Sequence, residues 1–241
     1  MTQLILALRA YQSDVEIHQH AAFQVVLTED EPFDSFSEGK NHKNIYGFVI
    51  RPQVAHACKC SQSNLIILNI EPYSAIGKNL SNKLKANHKT FYFFSKNEVA
   101  AFFNLKKTTV SVQKIIKNIS GDTLLQKNDD RVVAVLDYIH STFNSHKISL
   151  KQISQQVCLS PSRLGFIFKK QIGSSIFKYL LWTRLRFAIS LLLTENKKSI
   201  TEIALESGFY DSAQMTKYMY ALFGISPSKL KQKSDLIQFL N

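Results

Sequence analysis

Two groups of side chains in this 241-residue sequence have the types and spacing to do chemistry. The first is a set of soft donors near the N-terminus. His18 and His20 stand two apart, so on a strand they share a face. With His56 they could make a three-histidine metal site. His56, Cys58 and Cys60 also alternate along one strand face, a pattern that could hold zinc or sense redox state. Packing or surface exposure is the plainer role for both sets, and no metal and no cofactor is assigned. The second group is cationic. Lys169 and Lys170, Lys197 and Lys198, and Lys229, Lys231 and Lys233 can neutralise phosphates and position a protein on a polyanion without reading its sequence. There is no glycine-rich phosphate loop, and no Ser-His-Asp or Cys-His arrangement in a familiar context. No catalytic residue is assigned, and the chain is not read as an enzyme.

The charge distribution favours nucleic acid as the polyanion. The net charge is +12. Residues 131–241 hold 15 Lys and Arg against 6 Asp and Glu, a net +9, while residues 1–130 hold 15 against 12, a net +3. Such asymmetry points to nucleic acid ahead of an anionic membrane. The apolar fraction of 45% and charged fraction of 20% are those of an ordinary globular protein. No run reaches the roughly 18–20 apolar residues of a membrane span; the best stretch, Leu180–Leu193, is interrupted by Arg184 and Arg186. The N-terminus lacks the basic region of a signal peptide. A cytoplasmic protein with reduced cysteines and no membrane partner is expected.

The elements that must position these residues fall into two halves. The first half reads as β-rich, with strands at Phe23–Thr28, 45–51 and 64–70 and turns at 29–32 and 61–63. Helices are expected over Ser95–Phe103, with Ser95 as cap and Glu98 three residues on, and over 108–119, with Val112, Ile115, Ile116 and Ile119 on one stripe. The polar segment 120–130 is a candidate linker. Beyond it every segment reads as helix, starting with 129–143 and its apolar Val132, Val133, Leu136 and Ile139. The expected fold is α+β: a small β-barrel with helices over residues 1–125, then an all-α domain over 126–241.

An internal repeat organises that second domain. SLKQISQQV at Ser149 and SITEIALES at Ser199 each begin with a capping Ser and place apolar residues on one face. A short turn follows each, at Cys158-Leu159-Ser160 and Gly208-Phe209-Tyr210. A second helix then starts, at Pro161 or near Asp211, and stops at Gly173 or Gly224. Each pair is a helix-turn-helix unit, in which the first helix buttresses a second that can enter the major groove. Between the units, 174–194 reads as one long helix of roughly 30 Å. Residues near the start of each second helix and one turn on would face the bases: Ser162, Arg163, Gly165 and Phe166, then Ser212, Ala213, Gln214 and Lys217. Arg can pair with guanine and Gln with adenine through two bonds each.

Residues 130–233 resemble the DNA-binding domain of the AraC/XylS family of transcription regulators. The resemblance is carried by Ser160-Pro161-Ser162-Arg163-Leu164 and Phe168-Lys169-Lys170, by Tyr179-Leu180, Arg184-Leu185, Ala188 and Leu191-Leu192, and by Ile203-Ala204, Gly208-Phe209, Asp211, Phe223-Gly224 and Pro227. It implies Ser162, Gly165, Phe166, Ser212, Ala213 and Lys217 as base-reading positions. Family members often carry a polar residue where Gly165 stands, Arg where Phe166 stands, and Gly where Cys158 stands. The first unit is therefore expected to read sequence weakly, through apolar contact, or to read shape; the alternative is that Phe166 packs under its helix. Trp182 and Phe187 either pack internally or contact another domain or polymerase. His18, His20 and His56, with Gln24 and Gly47–Pro52, resemble a degraded cupin pattern, with Gln24 at the place of the acidic ligand usual in metal-binding cupins.

The resemblance implies a cytoplasmic, sequence-specific regulator, read as an activator. Its implied partners are double-stranded promoter DNA, RNA polymerase, a small effector in the barrel, and a second copy in a homodimer. Lys40, Lys43 and Arg51 could pair with an acidic effector. The helices at Ser95–Phe103 and 108–119 resemble the family's dimerisation region, though their stripe could equally pack on the barrel.

Overall fold

The computed structural model describes residues 5–84, 88–105, 111–120, 129–145, 148–233 and 237–239. They form two compact units, one drawn from residues 3–125 and 233–241, the other from 126–232. The segments 108–110 and 121–128, part of an expected helix and most of the expected linker, lie outside the described residues.

The first unit is an antiparallel sheet curled into a small barrel. Its strands are β1 (Ile5–His18), β2 (Phe23–Thr28), β3 (Phe33–Ser37), β4 (Lys40–Ile45), β5 (Gly47–Ile50), β6 (His56–Ile70), β7 (Thr90–Phe93) and β8 (Ile237–Phe239). They run in the order β4-β3-β6-β2-β5-β7, with β1 also on β6 and β8 on β1. The 15-residue β6 makes the curl. Its first half pairs with β3, its second half with β2, and β1 follows it along the length.

Residues 61–63 are not the expected turn. They belong to β6 as a bulge, where the register with β1 jumps from Tyr11↔Asn64 to Ser13↔Cys60. The Ser63 hydroxyl is tied there to the backbone of Glu31 in both directions at 2.8 Å. The β3–β4 hairpin turns through Glu38 and Gly39, both at positive φ (50° and 79°), the backbone that a two-residue hairpin favours.

Both faces of the sheet are buried, with a period of two. Val25, Leu27, Ile66, Leu68 and Ile70 face one cluster, with Phe93, Val99 and Phe103. Val26, Phe48, Ile50, Cys58, Cys60 and Leu65 fill the other. The first cluster is closed by α1 (Ala75–Lys83), α2 (Lys96–Phe102) and α3 (Val112–Ser120). The helix α2 is capped by Ser95 as expected. Val112, Ile115 and Ile119 of α3 are buried against this barrel. The stripe that sequence analysis offered for dimerisation is thus used within the chain. Arg51 is likewise engaged: its guanidinium donates to Ser81 Oγ and O, to the Leu84 carbonyl and to the His88 carbonyl, 2.9–3.3 Å away. It caps the carbonyl end of α1 rather than facing a ligand.

The second unit is all helical: α4 (Asp130–Thr142), α5 (Leu150–Gln156), α6 (Pro161–Ile172), α7 (Ile176–Thr194), α8 (Ile200–Glu206), α9 (Ser212–Phe223) and α10 (Pro227–Gln232). The expected long helix is α7, 19 residues or about 28 Å long. It is buried on most of its circumference and packs with α6, α8, α9 and α10. Helix α4 buries Val132, Val135, Leu136 and Ile139, while Val133 turns outward. No helix among the described residues is long and apolar enough to cross a membrane.

Candidate nucleic-acid interface

The two units of the repeat are built by the same local chemistry. In α5, Ser149 accepts from the Gln152 N–H, and the Gln152 side chain accepts from the Ser149 N–H. In α8, Ser199 and Glu202 make the same reciprocal pair. Such boxes satisfy two orphan donors at a helix start. The Glu202 carboxyl is held below its ordinary pKa by these bonds from Ser199. Each second helix has its own cap, Ser160 followed by Pro161 in α6 and Asp211 in α9. Each ends on a left-handed glycine, Gly173 (φ 78°) and Gly224 (φ 64°).

The turns between first and second helices need a left-handed residue, Gly208 (φ 84°) in the second unit and Cys158 (φ 54°) in the first. At Gly208 the space is also closed. A Cβ there would meet the Asn144 Cα and Phe143 carbonyl oxygen at 2.8 Å and the Arg184 Nε at 3.0 Å. Arg184, buried on α7, donates to the Phe143 carbonyl at 2.7 Å and the Ser145 carbonyl at 2.8 Å. One side chain thus ties the linker helix to the end of α4, beside the turn of the second unit. Arg184 fits a family pattern in the sequence, but this role is not legible there, because its partners lie about 40 residues away.

Helix α6 buries Leu164, Ile167, Phe168 and Ile172. Its opposite face presents Ser162, Arg163, Phe166, Lys169 and Lys170 to solvent. Gly165 lies on that face with nothing within 4 Å of where a Cβ would stand. Phe166 is 60% exposed, so it does not pack under the helix. The Arg163 guanidinium lies 5.8 Å from its ring centroid, within range of a cation–π contact. Asp129 is drawn down to about 2, chiefly by bonds from Arg131, with Arg163 a smaller influence.

Helix α9 buries Met215, Met219 and Phe223. Ala213 and Lys217 are exposed, and Ser212 and Gln214 half-buried. Gln214 is already committed: its Oε1 accepts from the Tyr210 N–H at 3.0 Å, and its own N–H donates to Asp211 at 2.6 Å. A two-bond pairing with adenine has to use the second lone pair of that Oε1 or displace the Tyr210 N–H. Tyr210, 79% exposed just before α9, stands beside this face and was not singled out in the sequence; the only local signal is an aromatic in a turn.

The flanking lysines divide. Lys198 pairs with Glu206 at 2.8 Å, and Lys231 donates to the Lys198 and Glu195 carbonyls, so both help hold the second unit together. Lys169, Lys170, Lys197 and Lys217 are exposed. Trp182 is buried and stacked on Phe223, with ring centroids 5.0 Å apart and planes 9° from parallel; Phe187 packs on Phe143 at 5.1 Å. Both therefore pack internally.

A family model described as a helix-turn-helix domain matches residues 153–233. The arabinose operon regulatory protein of Escherichia coli is 30% identical over 111 residues, 46% of this chain and 38% of that protein. Residues 153–233 match a helix-turn-helix domain, and the stretch around them is similar to a regulator of the arabinose operon. The Msm operon regulatory protein of Streptococcus mutans is 37% identical over 95 residues, 39% of this chain and 34% of that protein. The matches span less than half the length of these curated relatives. Among solved structures, ToxT from Vibrio cholerae, bound to (E)-4-(8-methylnaphthalen-1-yl)but-3-enoic acid, has a TM-score of 0.61 at 12% identity, covering 96% of this chain and all of that one. That likeness carries the fold alone, a small β-barrel with helices followed by an all-helical unit.

Proposed function

We propose that this protein is a sequence-specific, double-stranded-DNA-binding transcription regulator. The observation that carries the proposal is the duplicated, solvent-facing second helix, α6 and α9, on one shared α7. Each has a buried apolar face and an outward face with cations and small or polar groups near its start. Major grooves on one side of DNA recur about every 34 Å, close to the length of α7, so one protomer reads two adjacent grooves. Ser212, Gln214 and Lys217 supply hydrogen-bonding readout from α9, and Ala213 a methyl group suited to a thymine methyl. Ser162, Arg163, Gly165 and Phe166 supply one cation and an apolar ring from α6, suited to guanine and to thymine methyls. Lys169 and Lys170 hold phosphates.

The protein acts in the cytoplasm, is not an enzyme, and activates by binding beside RNA polymerase. Two relatives named as operon regulatory proteins support a regulatory role. Because the α3 stripe is used inside the first unit, control is assigned to an effector ahead of a homodimer. A cleft of 790 Å³ lined by Ser13, Glu31, Phe33, Lys43, Cys60 and Lys233 is the place offered for it.

Selection of bound fragments from genomic DNA, with salt varied, tests the proposal. A recurrent motif of two blocks about ten base pairs apart is expected. Salt-sensitive binding with no motif would leave only the phosphate contribution and overturn sequence-specific reading.

A further inference from the structure

We propose that the N-terminal barrel binds one divalent transition-metal ion through the Nε2 atoms of His18, His20 and His56, with the Gln24 amide oxygen as a fourth donor. His18 ends β1, His20 precedes β2, and His56 begins β6 as the cross-strand partner of His18. All three are buried, and one ring nitrogen from each lies within 4.8 Å of the others. Their ring centroids are 4.2, 5.1 and 5.7 Å apart.

The backbone sets the state of each ring. The Nδ1 atoms of His18, His20 and His56 lie 2.8, 3.1 and 2.8 Å from the carbonyl oxygens of Glu16, Ala22 and Val54. A carbonyl only accepts, so each Nδ1 carries the proton and each Nε2 presents a lone pair. Bonding of the distal N–H to a backbone carbonyl is the usual support of a metal-binding imidazole.

Gln24 is aimed by the same logic. Its Nε2 donates to Asn69 Oδ1 at 3.1 Å, which turns its Oε1 toward the His56 Nε2 at 2.9 Å. With the proton of His56 on Nδ1, the Gln24 amide oxygen and the His56 Nε2 are two lone-pair donors set side by side, as ligands of one ion are. Donors on one ion at about 2.1 Å stand roughly 3.0–3.4 Å from each other, so the rings need draw in by about 1 Å. Three imidazoles and an amide oxygen suit Zn²⁺ or Fe²⁺ and not Mg²⁺ or Ca²⁺.

The cysteine alternative raised by the sequence does not share this geometry. Cys58 and Cys60 sit in the apolar interior cluster. Burial raises the Cys58 thiol, and Cys60 donates to the Ser63 carbonyl at 3.7 Å. The ion would clamp the end of β1 to the start of β6.

The test uses the full chain without an affinity tag, stripped with chelator and dialysed. Titration with Co²⁺, followed by visible d–d absorption and by metal analysis, is expected to saturate at one ion per chain. Zn²⁺, unlike Mg²⁺, should then raise the melting temperature by several degrees. His18→Ala and His56→Ala should weaken binding at least 100-fold, while Cys58→Ser and Cys60→Ser leave it unchanged. Gln24→Glu should tighten it at least tenfold, and this variant decides the matter where a histidine variant does not fold. No saturable signal at millimolar Co²⁺, binding that survives in folded histidine variants, or a Gln24→Glu affinity equal to wild type would each overturn the proposal.

Discussion

Gly208→Ala should cost the helix-turn-helix domain much of its stability, and Cys158→Gly, at the matching turn of the first unit, should do the reverse. At Gly208 two costs add. A side chain in the left-handed region costs about 1–2 kcal/mol. The new methyl would overlap the Asn144 Cα and the Phe143 carbonyl oxygen at 2.8 Å, displacing the end of α4 from Arg184. Loss of a charged hydrogen bond costs about 1.5–3 kcal/mol, which brings the total to roughly 3–5 kcal/mol. Cys158 already bears the left-handed strain, so Cys158→Gly removes it at the expense of a more flexible unfolded chain, for a net gain of about 0.5–1 kcal/mol. Urea unfolding of the full chain, followed by circular dichroism and by Trp182 fluorescence, reports the helical unit, since the single Trp lies in it. If Gly208→Ala lies within 1 kcal/mol of wild type, or Cys158→Gly is destabilising, the account of the two turns is wrong.

Three further outcomes follow from the same geometry. Gly165→Ala meets no neighbour and should stabilise α6 by about 0.5–1 kcal/mol in urea unfolding. Lys170→Ala or Lys217→Ala should weaken DNA binding across sequences and lower the slope of log affinity against log salt by about 1, whereas Lys198→Ala, whose partner is Glu206, should lower that slope less. Burial, aided by the Arg186 charge, holds His140 below its ordinary pKa of 6.5. On acidification the unfolded chain therefore takes up this proton first, so the contribution is complete above pH 6.5 and is lost as pH falls toward the lower folded value. Urea midpoints between pH 7.5 and 5 should fall more steeply for wild type than for His140→Gln; equal slopes would remove His140 from the account.

The helical half was legible because its signals are local. Ser149 with Gln152, Ser199 with Glu202, Pro161, Gly173 and Gly224 mark helix ends within four residues of the bonds they make. The barrel was legible only where apolar runs were dense, as in β2 and the second half of β6. β1 passed as a bare N-terminal stretch, since its meaning lies in pairing with residues 56–70. β4, KNHKNI, has one apolar residue, and the polar residues 61–63 imitate a turn where long-range register makes a bulge. The histidine set was named from its spacing and its resemblance to a cupin pattern, but its geometry was not legible. His18 and His56 are 38 positions apart and become neighbours only through the β1–β6 register, and the carbonyls that fix their tautomers are visible only in the fold. The exposure of Phe166 and the stacking of Trp182 on Phe223 were also undecided by spacing alone, because both residues fit either face of an amphipathic helix.

The most direct test of the central claim is the spacing of the two halves of a selected DNA site. Inserting five base pairs between the halves rotates one by about half a turn away from the other, while inserting ten restores the face at twice the distance. Two reading helices on one rigid α7 predict that either insertion lowers the affinity of a single protomer at least 100-fold, to the level of one half-site. Affinity unchanged by the five-base-pair insertion would contradict tandem reading of adjacent grooves.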